Sequence, residues 1–400
     1  MSKRQIIVNL HIKQISIKRG NMKNKLETLL RKFNIDGEIV SYNFLSSGHI
    51  NTTCLVRVNV DGKTKEYVLQ KINKYVFKKP DEVMKNISNV TNFIRNKIKA
   101  NGESSRRRVL KFYKSDNDNY FTLDEEGDYW RIYRYVPNSV TYNETDDLTV
   151  LEGAGKAFGE FQMLLDDFPI KNLNIIIPHF HNTENRYKLF KEAIRKDAKK
   201  RVKKVQEEIC EFIKLENLAT KMYKLQKQGV LKLRVTHNDT KCNNVLFDED
   251  TKKYLCAIDL DTVMPGLVGF DFGDAIRFAA NTCSEDETDL SKVKIDLAKY
   301  EAFAKGFLSK VGDSLSEDEK NTLALGAVTM TLECGLRFLT DYIDGDKYFK
   351  TNHSNQNLDR ARCQLSLAQD MIRNYEKMKN IIEDCTFYHD EKEKSLEQIK

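Results

Sequence analysis

Between Val235 and Gly273 the chain reads VTHNDTKCNNVLFDEDTKKYLCAIDLDTVMPGLVGFDFG, a stretch that few folds accommodate. His237, Asp239 and Asn244 fit the spacing His-x-Asp-x-x-x-x-Asn, and Asp259 closes an apolar run twenty residues after Asp239. Two short apolar runs, Val245 to Phe247 and Tyr254 to Ile258, flank the charged segment Asp248 to Lys253 and predict a β-hairpin. Folded back, this hairpin returns Asp259 to the side of Asn244. One carboxylate beside an acceptor hydroxyl, with an amide oxygen and a second carboxylate beside a metal ion, is the equipment that phosphoryl transfer asks of a protein. Asp239 is the candidate base, and Asn244 and Asp259 are the candidate ligands of Mg²⁺.

A second acid competes for the metal. Asp271-Phe272-Gly273 spells the metal-binding tripeptide of protein kinases, but it lies twelve residues beyond Asp259, past the turn at Met264-Pro265-Gly266. The hairpin already delivers Asp259, so Asp271 is expected to tie down the catalytic loop or to cap a helix beginning near Asp274. Asp261 shares a face with Asp259 if the strand continues, and is a candidate helper.

Upstream, residues 38 to 72 alternate as strands, with a small-residue loop from Leu45 to Thr53. Strand, loop, strand is how a nucleotide-covering flap is built, and Ser47, Gly48 and Asn51 would set backbone N–H groups against phosphates. Val68-Leu69-Gln70-Lys71 ends the third strand. Alternation turns Gln70 and Lys71 to opposite faces, so only one of them can face the nucleotide, and the sequence leaves open which. Lys79-Pro80-Asp81-Glu82 opens a helix through about Ile98. Further strands are expected at Arg108 to Tyr113 and Tyr129 to Tyr135, followed by a hinge at Val136-Pro137-Asn138.

Beyond the hinge the pattern turns helical: Asp147 to Leu165, Thr183 to Gln228, Ser291 to Val311, Glu317 to Tyr342 and Leu358 to Asp384. Residues 323 to 343 are apolar nearly all round, which predicts a buried helix, and a buried Arg337 needs a partner. Glu333, one turn earlier, can supply it. Alternatively Arg337 reaches an acceptor pocket, with Tyr348 adding a ring and a hydroxyl. Lys241, two residues after Asp239, either offsets phosphate charge or closes a loop salt bridge.

Composition trims the alternatives. The net charge of +7 resides in the first 33 residues, where nine Lys/Arg face only Glu27. The basicity is thus a property of the extension, and no nucleic-acid partner is expected. No run approaches the ~18 apolar residues of a membrane span, and no membrane partner is expected. Eight scattered cysteines without a C-x-x-C pair read as reduced residues of a cytoplasmic protein, and a monomer is favoured.

With these residues set out, the chain resembles the aminoglycoside phosphotransferase and choline kinase superfamily, and within it the N-acetylhexosamine 1-kinases. The matching pieces are Gly48 to Asn51, Val68-Leu69-Gln70, Ile177 to Arg186, His237 to Lys241, Ile258 to Pro265, Gly335 to Tyr342, Gly345-Asp346 and Tyr348-Phe349. The likeness runs from about residue 40 to residue 375. It implies an α+β, two-lobed protein-kinase-like fold, with a small antiparallel β N-lobe and a larger, mostly helical C-lobe. The division expected is a basic extension over 1–25, an N-lobe over 26–135 and a C-lobe over 136–400. It also implies ATP with Mg²⁺, transfer to the anomeric hydroxyl of a small-molecule sugar, cofactor contacts at Gln70 and Lys241, and sugar contacts at His49, Arg337 and Tyr348. Two other functions stay open at this point: a kinase of another small alcohol of the aminoglycoside, choline or homoserine type, and a catalytically silent nucleotide-binding protein.

Overall fold

The computed structural model describes residues 19–45 and 50–397. Residues 1–18 and the flap residues 46–49 lie outside the described residues, and with them the expectations for Ser47, Gly48 and His49.

Helix α1 (Arg19–Lys32) turns a stripe of Leu26, Leu29 and Leu30, continued by Phe33, onto the first sheet. The strands are β1 (Glu38–Leu45), β2 (Thr52–Val60), β3 (Lys63–Lys71), β4 (Thr122–Leu123) and β5 (Tyr129–Arg134), antiparallel in the order β1-β2-β3-β5-β4. Cys54, Val56 and Val58 alternate inward on β2 and meet the α1 stripe together with Leu69, Trp130 and Ile132. Each such side chain contributes about 1.5–3 kcal/mol by burial. Helix α2 (Pro80–Ala100) starts on Pro80, with Asp81 and Glu82 in its first turn and Lys97 and Lys99 in its last, as the helix dipole favours. Glu82 pairs with Lys79 on its own turn.

The remainder is mostly helical. It holds β6 (Ser139–Val140), α3 (Leu148–Leu164), α4 (Thr183–Lys196), α5 (Gln206–Lys214), α6 (Glu216–Ala219), α7 (Lys221–Lys227), β7 (Arg234–Thr236), β8 (Val245–Asp248), β9 (Tyr254–Ala257) and β10 (Met264–Gly266). Then come α8 (Val268–Ala279), α9 (Leu297–Val311), α10 (Glu317–Asn321), α11 (Leu323–Asp344), α12 (Gln356–Arg373) and α13 (Tyr375–Glu397). The expected hairpin is present as β8 and β9, pairing Val245 with Ala257. Helix α11 is long and apolar enough to cross a membrane, but 89% of that stretch is buried inside the protein, packed against the helices around it. Its backbone runs directly against α8, because a Cβ at Gly273 would overlap the Gly326 carbonyl and one at Gly326 would overlap that of Gly269. Gly345, at a φ of 100°, then ends α11 in a conformation that side-chain-bearing residues avoid.

Three expectations change. Arg108 to Tyr113 forms a single bridge, Phe112 to Tyr133, instead of a strand. The helix expected over 183–228 is four pieces: Asp197 and Lys200 take left-handed conformations, and the Asp197 carboxylate accepts the N–H groups of Arg201 and Val202, turning the chain after α4. Helix α8 begins at Val268, so Asp271 lies within its first turn and no helix starts near Asp274.

Candidate active site

The catalytic loop, between β7 and β8, is suspended from α8. Asp271 is buried and accepts hydrogen bonds from the backbone N–H of His237 (2.9 Å), that of Asn238 (2.8 Å) and the Gln162 amide (2.6 Å). Burial pushes this carboxyl up, while His237 and the three donors pull the other way. Asp274 receives the Thr240 N–H and pairs with Arg277. The loop-tethering role expected for Asp271 is the one the geometry gives it. His237 stands between Phe158 and Phe161 and donates from Nε2 to the Ile258 carbonyl (2.8 Å), joining the loop to the far side of the hairpin.

Asp239 is held by the Asn244 amide, whose Nδ2 donates to its carbonyl (2.8 Å) and to its carboxylate (3.1 Å). With the amide nitrogen so engaged, the Asn244 oxygen is the atom left to bind something else. Ile258 N–H donates to the Asn244 carbonyl (2.8 Å), which brings Asp259 alongside as expected. The strand, however, stops at Ala257, and Asp259 lies beyond it in a left-handed conformation (φ 59°, ψ 57°). That conformation costs about 1–2 kcal/mol. Among the described residues nothing donates a hydrogen bond to Asp259. Enclosure between the lobes, then the facing Asp261 and Asp239 carboxylates, pushes its pKa up to about 7, with Arg131 and Lys241 opposing. The side chain is open to the cleft, so water moderates the enclosure, but the repulsion from the two acids keeps the direction upward. A carboxylate without donors among the described residues, crowded by two others and next to a free amide oxygen, suits a hard cation with oxygen ligands, and Asn244 and Asp259 fit Mg²⁺.

Asp261 is not a second ligand on the same strand face. It is buried, ion-paired with Arg131, and accepts from Asn51 Nδ2 (2.6 Å). Asn51 in turn accepts the Asn73 N–H (3.0 Å), so it fastens the flap to the metal loop. The alternation on β3 is resolved: Lys71 turns outward to Asp128 (3.2 Å), whereas Gln70 turns inward, donating to Thr53 and accepting from Arg131 Nε (2.9 Å). Arg131, on β5, was not singled out by sequence reasoning. Its signal lies in cross-strand register, Gln70 opposite Arg131, which no local pattern reveals.

Lys241 pairs with Asp239 (3.0 Å) and lies over the Phe278 ring. Burial disfavours its charge, but Asp239 and Asp274 more than offset that and raise its pKa. On α11, Arg337 makes no ion pair with Glu333, which favours its charge from a distance but holds His181 Nδ1 (3.1 Å) and faces Arg186. The Arg337 guanidinium is framed by Phe180, Tyr348 and Phe349, with centroids 5.8, 5.8 and 5.4 Å away, and has no hydrogen-bond acceptor among the described residues. Tyr348 is 68% exposed and held by the Asp341 carboxylate, which takes the N–H groups of Lys347, Tyr348 and Phe349.

A small antiparallel sheet over a helical body, with the Asp239 loop and the Asp259 loop at their junction, defines a kinase-like protein. Residues 41–303 match the phosphotransferase enzyme family, and the chain belongs to it. Solved structures agree in fold. A microcompartment-associated aminopropanol kinase is 14% identical, with 88% of this chain and 98% of that chain covered at a TM-score of 0.54. An ethanolamine kinase of Plasmodium vivax is 15% identical, with 85% and 86% covered at 0.52. The GDP complex of aminoglycoside 2'-phosphotransferase IIIa is 14% identical, with 88% and 99% covered at 0.53.

Proposed function

We propose that the chain is an ATP-dependent small-molecule kinase that converts an N-acetylhexosamine, N-acetylglucosamine or N-acetylgalactosamine, to its 1-phosphate. One observation supports the choice of acceptor: Arg337 stands in an aromatic frame with no hydrogen-bond acceptor among the described residues, its charge favoured only at a distance by Glu333 and repelled by Arg186. Choline, ethanolamine and aminoglycosides are cations, and a cation about 5–6 Å from Arg337 would be repelled by about 3 kcal/mol at an effective dielectric constant near 20. A neutral sugar instead offers carbonyl and hydroxyl oxygens to the guanidinium and a ring face to the aromatics.

In the proposed cycle the nucleotide lies under the flap that Asn51 anchors, between the N-lobe of residues 26–135 and the C-lobe of 136–400. Asn244 holds Asp239 so that its carboxylate orients the anomeric hydroxyl and receives its proton. That hydroxyl is more acidic than an ordinary alcohol, which eases the transfer. Lys241 leaves Asp239 enough to offset charge on the transferred group. Mg²⁺, when bound by Asn244 and Asp259, supplies neutralisation of the phosphate oxygens.

The test is ADP release from ATP over a panel of hexosamines, N-acetylhexosamines and amino alcohols, with phosphorus NMR of the product. A phosphate coupled to the anomeric proton is the expected result. Turnover of a cationic alcohol alone would refute the sugar assignment while leaving the family untouched.

A further inference from the structure

In protein kinases a lysine on the third strand meets the nucleotide phosphates and is held by a glutamate of the helix that follows. Here neither partner is available. Lys71 is drawn outward to Asp128, and Glu82, on the first turn of α2, is paired with Lys79 at the surface. What α2 offers the cleft at this level is the Met84 sulfur, 3.8 Å from Arg131. The sheet's inward-facing cation is Arg131 itself, 2% exposed and directly opposite Gln70 in the β3–β5 register.

We propose that Arg131 is the phosphate-facing cation of the nucleotide site, and that its pair with Asp261 replaces the strand-lysine and helix-glutamate pair of protein kinases. Three observations converge. Gln70 accepts from Arg131 Nε and so sets the plane of the guanidinium. Asp261 takes Nη1, which leaves Nη2 without an acceptor among the described residues. Asp261 lies two residues from Asp259 and also receives Asn51 from the flap, so the cation sits where flap, sheet and metal loop meet. A fixed guanidinium presents a planar fork to phosphate oxygens, which a flexible lysine does not. The salt bridge also ties the sheet directly to the metal loop, so the position of α2 is not needed to assemble the site.

The inference rests on nucleotide use and is independent of the acceptor's identity. Calorimetric titration with MgADP and with adenosine, on the parent, Arg131→Lys, Arg131→Met, Arg131→Met/Asp261→Asn and Lys71→Met, tests it. The double variant removes both charges, so no buried carboxylate is stranded. Loss of ADP affinity by about 10- to 100-fold, with adenosine held within about twofold, is expected for both methionine variants at position 131, as for a charge-assisted phosphate contact of ~1.5–3 kcal/mol. Arg131→Lys should recover part of the loss, and Lys71→Met should bind ADP like the parent. Equal losses for ADP and adenosine, or parent-like ADP binding by the double variant, would overturn the assignment. A loss confined to Lys71→Met would also overturn it, and because the Lys71 side chain is only half-buried, this variant can refute the assignment even if those at 131 do not fold. A parent protein that binds no nucleoside diphosphate would instead refute the kinase reading beneath it.

Discussion

On the catalytic wall of the cleft Asp271 accepts three hydrogen bonds, Asp274 takes a backbone N–H and an arginine, and Asn244 clasps Asp239. Around the proposed acceptor residues, Arg337 has three rings beside it and no hydrogen-bond acceptor among the described residues, and Tyr348 is largely in solvent. One wall spends its polar groups on holding a shape. The other fixes its backbone through Asp341 but leaves Arg337 without a hydrogen-bond acceptor among the described residues, as a surface would if it is to read a ligand. The contrast recurs within a single residue type: Asp271 is saturated with donors, and Asp259 has none among the described residues.

The largest expected effect separates chemistry from shape. Asp239→Asn should lower kcat by roughly 10²- to 10⁴-fold, the range of general-base catalysis, with thermal unfolding little changed. Unaltered turnover would remove Asp239 from the mechanism. Next, Asp271→Asn should show the reverse, losing about 3 kcal/mol in urea unfolding because an amide cannot accept from all the donors now aimed at it. A variant as stable as the parent would dissolve the distinction between the walls.

Arg337→Met comes third. Because no direct ion pair is lost, and the attraction of Glu333 is opposed by the repulsion of Arg186, stability should change little, while kcat/KM for the sugar falls about 10- to 100-fold, chiefly through KM. A marked drop in stability with KM intact would make Arg337 structural. Asp259 gives a smaller effect that depends on pH. Its folded-state pKa of about 7 lies above the ordinary carboxylate value, so the folded protein holds this proton more tightly than the unfolded chain. Stability from the group is therefore full at low pH and is lost as pH rises towards 7. In chelator, Asp259→Asn should melt near the parent at pH 4, close to the unfolded carboxylate's pKa, and above it at pH 8, and added magnesium should narrow the gap by stabilising the parent. Parallel curves would discard the repulsion. Smallest of all, Tyr348→Phe should change KM only a few-fold, in keeping with its exposure.

What could be read from the sequence was local. The catalytic loop and hairpin lie within 25 residues of one another, and turn chemistry alone brings Asp259 to Asn244. The choice of Asp259 over Asp271 followed from the same hairpin. Three things could not be read. The Arg131–Asp261 pair joins residues far apart in the chain, and only the β3–β5 register shows that Gln70 turns inward and Lys71 outward. Glu333 stands one turn from Arg337, where helix spacing predicts a pair, yet His181 arrives from the loop before α4 and takes it. The break after α4 was hidden for another reason: Asp197 and Lys200 supply left-handed turns that glycine would have announced.

Under the proposed function, the bare contact between α8 and α11 would bear on which acceptors fit. Asp271 and Asp274 ride on α8 and carry the transfer centre, while Arg337 rides on α11, eleven residues or about 16 Å of helix beyond Gly326. Gly269, Gly273 and Gly326 thus act as a spacer of zero thickness between the two helices, and in the proposed sugar kinase that spacing would be a gauge block for the acceptor's length. Admitting a longer acceptor would require prising these helices apart at the glycines, and enlarging the pocket by trimming its aromatic lining would leave the reach from hydroxyl to guanidinium as it was.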